Sequence, residues 1–220
     1  LKAYSLDINQ WDTADVYGEG HSEKIIGSMW KEIPRHDIFL ATKVGWDMGG
    51  YGYWYNPKYM KIKMENSLKN LKTDCVDLMY LHHCNFGKNN EYLDDAIDIM
   101  LRFKEEGKTR FIGLSDWSPA RILKFIEKVD PDVVQPLYNV YDTKYETSGL
   151  KDYVKSNNIG VCYFSPIKHG ILTGKYDSTV EFPDGDFRKN VKEFMDIDFI
   201  NQMKSNKEKI EKKFLDISGD

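Results

Sequence analysis

Six short segments rich in Val, Ile, Leu, Phe and Tyr, near residues 8–13, 37–43, 76–82, 110–115, 133–138 and 159–165, alternate with longer stretches of helical period. The residues that stand out at their C-terminal ends, Asp12, Lys43, His82, Ser115, Gln135 and Phe164, lie on average about thirty residues apart, the length of a strand plus a crossover helix in a parallel sheet. That pattern predicts an α/β protein of the (β/α)8 TIM barrel class, whose reactive groups gather at the C-terminal ends of the strands. Six units are evident rather than eight. The intervening stretches have helical stripes: Met60, Met64, Leu68 and Leu71 in one, and Leu93, Ala96, Ile97, Met100 and Leu101 in the next, each reading as core. Helix starts are expected at Ser22, Asn56-Pro57 and Ser118-Pro119, where short polar side chains and proline suit the first turn. After residue 176 a long loop precedes a last helix near 196–215, with Phe199, Ile200, Met203, Ile210 and Phe214 as its buried face.

The 220 residues, 41% hydrophobic and 30% charged, suit one folded domain spanning 1–220 and exclude a disordered or collagen-like chain. A net charge of -4 with mixed signs gives no support for a nucleic-acid partner. No apolar run is long enough for a membrane span, and no signal pattern opens the chain, so no membrane insertion and a cytoplasmic location are expected. Cys75, Cys84 and Cys162 lack metal-ligand or redox-pair spacing, and no metal site is expected.

Three blocks narrow the reading: Asp12-Thr13-Ala14-Asp15-Val16-Tyr17-Gly18 with Gly20 and Ser22-Glu23, then Thr42-Lys43-Val44, then Asp77-Leu78-Met79-Tyr80-Leu81-His82. Later come Gly113-Leu114-Ser115, Val134-Gln135, Phe164-Ser165-Pro166-Ile167 and Gly170 through Tyr176. In this order the blocks resemble the aldo-keto reductase superfamily, and the later ones its long-loop branch, which includes potassium channel β subunits and bacterial stress reductases. The resemblance covers the second to seventh βα units, with the first and eighth strands missing from the sequence.

The resemblance implies a catalytic tetrad of Asp12, Tyr17, Lys43 and His82. Its chemistry is physically reasonable: reducing a carbonyl by hydride requires a proton for the developing alkoxide. A phenol, with an ordinary pKa near ~10, serves only if a neighbouring cation favours its charged form. Tyr17 would be that phenol, Lys43 the cation, Asp12 its anchor and His82 a hydrogen-bond donor to the substrate oxygen. His83 is the rival, and the spacing from Asp77 selects His82. Taken singly, Asp12 reads as a turn or cap, Lys43 as a surface lysine and His82 as a structural histidine; their joint occurrence at successive strand ends favours a site.

The hydride must come from a cofactor, and no Gly-x-Gly-x-x-Gly follows a strand, which disfavours a Rossmann fold. By resemblance Ser115, Asp116 and Gln135 would meet a nicotinamide carboxamide and Phe164 would stack on the ring. Ser165, Pro166 and Ile167, leading to Lys175, with Arg188 beyond, would hold the pyrophosphate, and Gly170 and Gly174 would permit close backbone approach. NADP is the cofactor the family implies, with NAD not excluded. Asp116 departs from the family's usual Asn or Arg, Phe164 replaces a more common Tyr or Trp, and Lys168-His169 replaces smaller or apolar residues. Trp46, Tyr51, Tyr53, Trp54 and Tyr55 follow Lys43 as a candidate wall for a small-molecule carbonyl substrate or a protein contact surface. Two functions are carried forward: an NADP-dependent reductase of aldehydes or ketones, and a regulatory protein that keeps the fold and binds the cofactor as a sensor. An oligomer or protein partner is left open. A metal hydrolase is a distant third, because the His-x-His spacing is missing.

Overall fold

The computed structural model describes residues 1–218, with side chains described through 213. Six strands are found among them: β1 (Gln10–Asp12), β2 (Phe39–Val44), β3 (Val76–Leu81), β4 (Thr109–Asp116), β5 (Val133–Pro136) and β6 (Gly160–Val161). Every pairing is parallel and the spatial order follows the chain order. This is a partial (β/α)8 barrel, as the periodicity predicts. Seven helices accompany the strands in the described residues: α1 (His21–Ser28), α2 (Pro57–Leu71), α3 (Leu93–Glu105), α4 (Pro119–Val129), α5 (Lys144–Thr147), α6 (Leu150–Ser156) and α7 (Ile197–Ser218).

Two compact units are formed, one from residues 1–137 and 143–164, the other from 138–142 and the described residues after 164. In the first unit β3 is buried along its whole length and β2 along all but its first residue, the pattern of strands covered on both faces. Burying Asp77 in β3 demands partners. Its carboxylate accepts from Arg35 Nη2 at 2.9 Å, Arg110 Nη1 at 2.8 Å and the Leu40 amide at 2.9 Å. These bonds hold its carboxyl below the ordinary range against the opposing effect of burial. Tyr80 faces Gly113 across the ladder, and a Cβ on Gly113 would lie 2.3 Å from the Tyr80 ring. The glycine of the Gly-Leu-Ser block is therefore room for an aromatic ring.

The strand β6 is shorter than the predicted 159–165. Cys162 and Phe164 still donate to the Val134 and Pro136 carbonyls, but Pro136 has no N–H to return a bond, so the regular ladder thins there. Asn56 and Ser118 cap α2 and α4 as expected, accepting from the Lys58 and Arg121 amides. Ser22 does not start α1. The helix begins at His21 after Gly20, whose φ of 83° suits glycine, and Ser22 instead bonds Thr13 through their hydroxyls at 2.8 Å. The α2 stripe is buried as predicted. In α3 the inward residues are Leu93, Ala96, Ile99, Met100 and Phe103, whereas Ile97 is half-buried and Leu101 exposed. A stripe inclined across several turns takes in 99 and 103 and leaves 97 and 101 at its margin.

In the second unit Ile171, Phe194 and Ile200 form a small core with Tyr176, Phe182 and Phe199 packed against it. The loop after 176 is organised by short 3-10 turns at Phe187–Asn190 and Lys192–Met195. Ile200 and Met203 are buried on α7 as expected and Phe199 is half-buried, but Ile210 is 55% exposed, because the core reaches only the first turns of the helix. The Phe214 side chain lies outside the described residues. No helix among the described residues is long and apolar enough to cross a membrane.

Candidate active site

The ends of β1 and β2 bring Asp12 and Lys43 together. Lys43 is 2% exposed, and an ammonium buried so deeply must be paired. It donates to Asp12 Oδ1 and, at 2.8 Å, to the Thr13 carbonyl. The second Asp12 oxygen accepts from Gln135 Nε2 at 3.0 Å. Asp12 is thus fixed from two sides, by β2 and by β5. Tyr17 lies on the turn between β1 and α1 and is 43% exposed, with Lys43 Nζ 5.1 Å from the centre of its ring.

His82 follows β3, its amide donating to the Val44 carbonyl at 2.9 Å. Its ring meets Tyr17 edge-on at 5.9 Å between centroids and Trp46 at 5.0 Å. Burial, and then the charges of Lys43 and His83, lowers His82 to about 3. The ring is therefore neutral at physiological pH, and its Nδ1 is buried without a hydrogen-bond partner. His83 is lowered to about 4, chiefly by burial, and is committed to the loop: its Nδ1 accepts from the Asn85 amide at 3.1 Å and its carbonyl accepts from the Tyr55 hydroxyl. Of the two histidines, His82 is the one whose ring packs edge-on against Tyr17.

The aromatic loop after Lys43 divides. Trp46 packs on His82 and is 43% exposed, while Tyr51 stacks on Tyr59 and Tyr53 on Tyr92. Trp54 meets the His83 ring edge-on. Tyr55 is fully buried. It belongs to the core and is no part of a substrate wall, because the His83 backbone satisfies its hydroxyl.

Ser115, Gln135 and Phe164 stand at the ends of adjacent strands. Ser115 pairs in register with Gln135 and donates to its carbonyl at 3.0 Å, and Phe164 bridges to Leu137 just beyond β5. Phe164 is half-buried and meets Trp117 edge-on at 4.9 Å. Asp116 is 2% exposed. Its two oxygens accept from the Cys84 and Ser118 amides at 2.8 Å each, with Arg121 at 3.7 Å. Its charge is thus spent on joining the β3 and β4 loops, which explains how an anionic group is tolerated at this position.

In the second unit, Ser165, Lys168 and His169 take positive φ, as do Gly170 and Gly174, so the segment is tightly coiled. The Ser165 carbonyl accepts from Asn139 at 3.2 Å, and Lys168 pairs with Asp142 at 3.0 Å. Pro166 and Ile167 are exposed, as is Lys175, whose Nζ lies 4.8 Å from the Tyr176 ring centre. Arg188 grips Asp186 through Nε and Nη2 and lies over Phe182 at 4.4 Å.

Sequence reasoning missed three contributions: the Thr13 carbonyl as the second acceptor for Lys43, the Gln135 bond to Asp12, and Trp117 against Phe164. Only Trp117 left a sequence signal, as an aromatic residue directly after a strand end.

The profile of the Aldo/keto reductase family matches residues 1–216, and the chain belongs to that family. The Schizosaccharomyces pombe protein Aldo-keto reductase yakc, whose name specifies NADP(+), is 32% identical over 208 residues, 91% of this chain and 60% of that protein. An Escherichia coli L-glyceraldehyde 3-phosphate reductase is 32% identical over 187 residues, covering 80% of this chain and 53% of the reductase. The glycerol dehydrogenase AKR11B4 of Gluconobacter oxydans superposes with a TM-score of 0.78 at 27% identity, over 99% of this chain and 66% of that one. The chain thus spans little more than half the length of the curated relatives it matches.

Proposed function

We propose that the protein is an NAD(P)H-dependent oxidoreductase that reduces aldehydes or ketones to alcohols, with Tyr17 as general acid. The observation that carries this is one cluster: a buried Lys43 paired with Asp12, its ammonium against the Tyr17 ring, and a neutral His82 edge-on to the same ring. The family relatives support the reductase reading, and the name of the yeast relative supports NADP.

Ser115, Gln135 and Phe164 fit a nicotinamide ring: a hydroxyl, an amide and an aromatic face follow one another along adjacent strand ends, and such groups suit a flat, amide-bearing ring. Two backbone amides hold the Asp116 carboxylate and Arg121 lies 3.7 Å from it, which offsets its repulsion of an anionic dinucleotide. Ser165, Pro166, Ile167, Lys175 and Arg188 are the candidates for its phosphates. When bound, the cofactor supplies the hydride that reaches the carbonyl carbon. Tyr17 then gives its phenolic proton to the carbonyl oxygen as negative charge develops there. Lys43 stabilises the phenolate left behind, Asp12 holds the ammonium in place, and Gln135 holds Asp12. His82, neutral, donates a hydrogen bond that orients the carbonyl without competing as a stronger acid, and Trp46 covers the approach beside it.

The test is NADPH oxidation, followed by absorbance with a panel of small aldehydes and ketones, for wild type and Tyr17→Phe. Turnover of the variant should fall by about 100-fold or more, while cofactor binding, read by fluorescence titration, stays within about twofold because the phenol is not a cofactor anchor. Equal rates for the two proteins would remove Tyr17 from the chemistry.

A further inference from the structure

The connection from β4 to α4 is only Trp117 and Ser118, and it is held at both ends. The Asp116 carboxylate, 2% exposed, accepts from the Ser118 amide at 2.8 Å with one oxygen and from the Cys84 amide at 2.8 Å with the other. Ser118 caps α4, its carbonyl accepting from the Arg121 and Ile122 amides at 2.9 and 3.1 Å. Trp117 is therefore carried on a fixed backbone, yet its side chain is 50% exposed.

The core does not use that indole. The buried face of α4 starts at Pro119 and continues through Ile122, Phe125 and Ile126, so the helix is seated without it. A large aromatic ring left half in water forgoes much of the gain that burial would give it, and binding residues concentrate on loops that a rigid scaffold positions. Among the described residues the one ring Trp117 meets is Phe164, at 4.9 Å between centroids and 89° between planes.

Phe164 gains something specific from this neighbour. The regular ladder of β6 stops at Val161, and beyond it the Phe164 backbone is held by its amide bond to the Pro136 carbonyl at 3.2 Å and its bridge to Leu137. Those contacts set where Phe164 sits but not how its ring is turned. An edge-on partner sets the turn, because tilting either ring loses the alignment of a positive edge with a negative face.

On the nicotinamide reading of Ser115, Gln135 and Phe164, we propose that Trp117 is a positioning residue for the cofactor: it presets the plane of the Phe164 ring on which the nicotinamide stacks. A platform fixed in advance spares the ordering cost that a turning ring would incur on binding. Trp117 thus acts on the nicotinamide half of the dinucleotide and has no part in holding its phosphates.

Calorimetric titration separates the two halves, with NADPH as the whole cofactor and 2′-phospho-ADP-ribose as the same molecule without nicotinamide. Trp117→Ala should weaken NADPH by about three- to tenfold, the size of an edge-on aromatic pair, and leave the nicotinamide-free analogue within about twofold. Trp117→Phe, which keeps an aromatic edge, should hold NADPH within about twofold of wild type. In a Phe164→Ala background the change Trp117→Ala should have no further effect, since its action passes through Phe164. Unchanged NADPH affinity in Trp117→Ala, equal weakening of both ligands, or the same loss repeated in the Phe164→Ala background would each overturn the proposal and leave the cofactor reading in place. Failure of the wild type to bind NADPH would overturn both.

Discussion

The neutrality of His82 has a thermodynamic signature that requires no substrate. An ordinary histidine titrates at 6.5, but burial lowers His82 to about 3 and His83 to about 4. In an acidifying solution the unfolded chain takes up protons that the folded protein refuses, so stability held above pH 6.5 is lost as pH falls towards the folded values. Between pH 7.5 and 4.5 each ring accounts for a loss of roughly 2–3 kcal/mol. Asp15 acts in the opposite sense. Raised from 3.8 to about 6, it binds a proton more readily when folded and returns about 2 kcal/mol over the same interval. The net loss from these three groups is about 3 kcal/mol, a large part of the ~5–15 kcal/mol that holds a typical domain together. Urea unfolding followed by tryptophan fluorescence at the two pH values measures it directly. Wild type should lose about 3 kcal/mol, His82→Gln less than about 1 and Asp15→Asn about 5. If wild type and His82→Gln lose the same stability on acidification, His82 is not held neutral by the fold, and its place as an uncharged donor fails with it.

Two structural substitutions test how the site is supported. Asp77→Ala strands the buried Leu40 amide and the Arg35 guanidinium and should cost about 3–5 kcal/mol, read from the shift in urea midpoint; a change under about 1 kcal/mol would mean that water replaces the carboxylate. Gly113→Ala drives a Cβ into the Tyr80 ring and should cost about 1–3 kcal/mol, with Tyr80→Leu in the same protein recovering most of the loss; the absence of recovery would place the strain elsewhere.

Several features were legible in the sequence for a local reason. Strand and helix alternation is written in side-chain periodicity, and residues at the end of a parallel strand must share a mouth with those of neighbouring strands, so Asp12, Lys43, His82, Ser115 and Gln135 were placed by counting. Proline and short polar residues marked α2 and α4 because capping involves only the next turn. Ser22 misled because a glycine in the left-handed region started the helix two residues earlier. Leu101 and Ile210 misled because period alone does not say how far a neighbouring core extends.

The residue types and their order along the chain determined the parallel sheet and which residues stand at the ends of its strands. Contacts between distant segments decided the rest: which of two adjacent histidines meets Tyr17, that Asp116 is spent on backbone amides, that Gln135 reaches Asp12 across 123 positions in the chain, and that Asp15 is buried and paired with Lys63. Those outcomes depend on burial and on partners brought close by packing, and neither is encoded in the spacing of a motif.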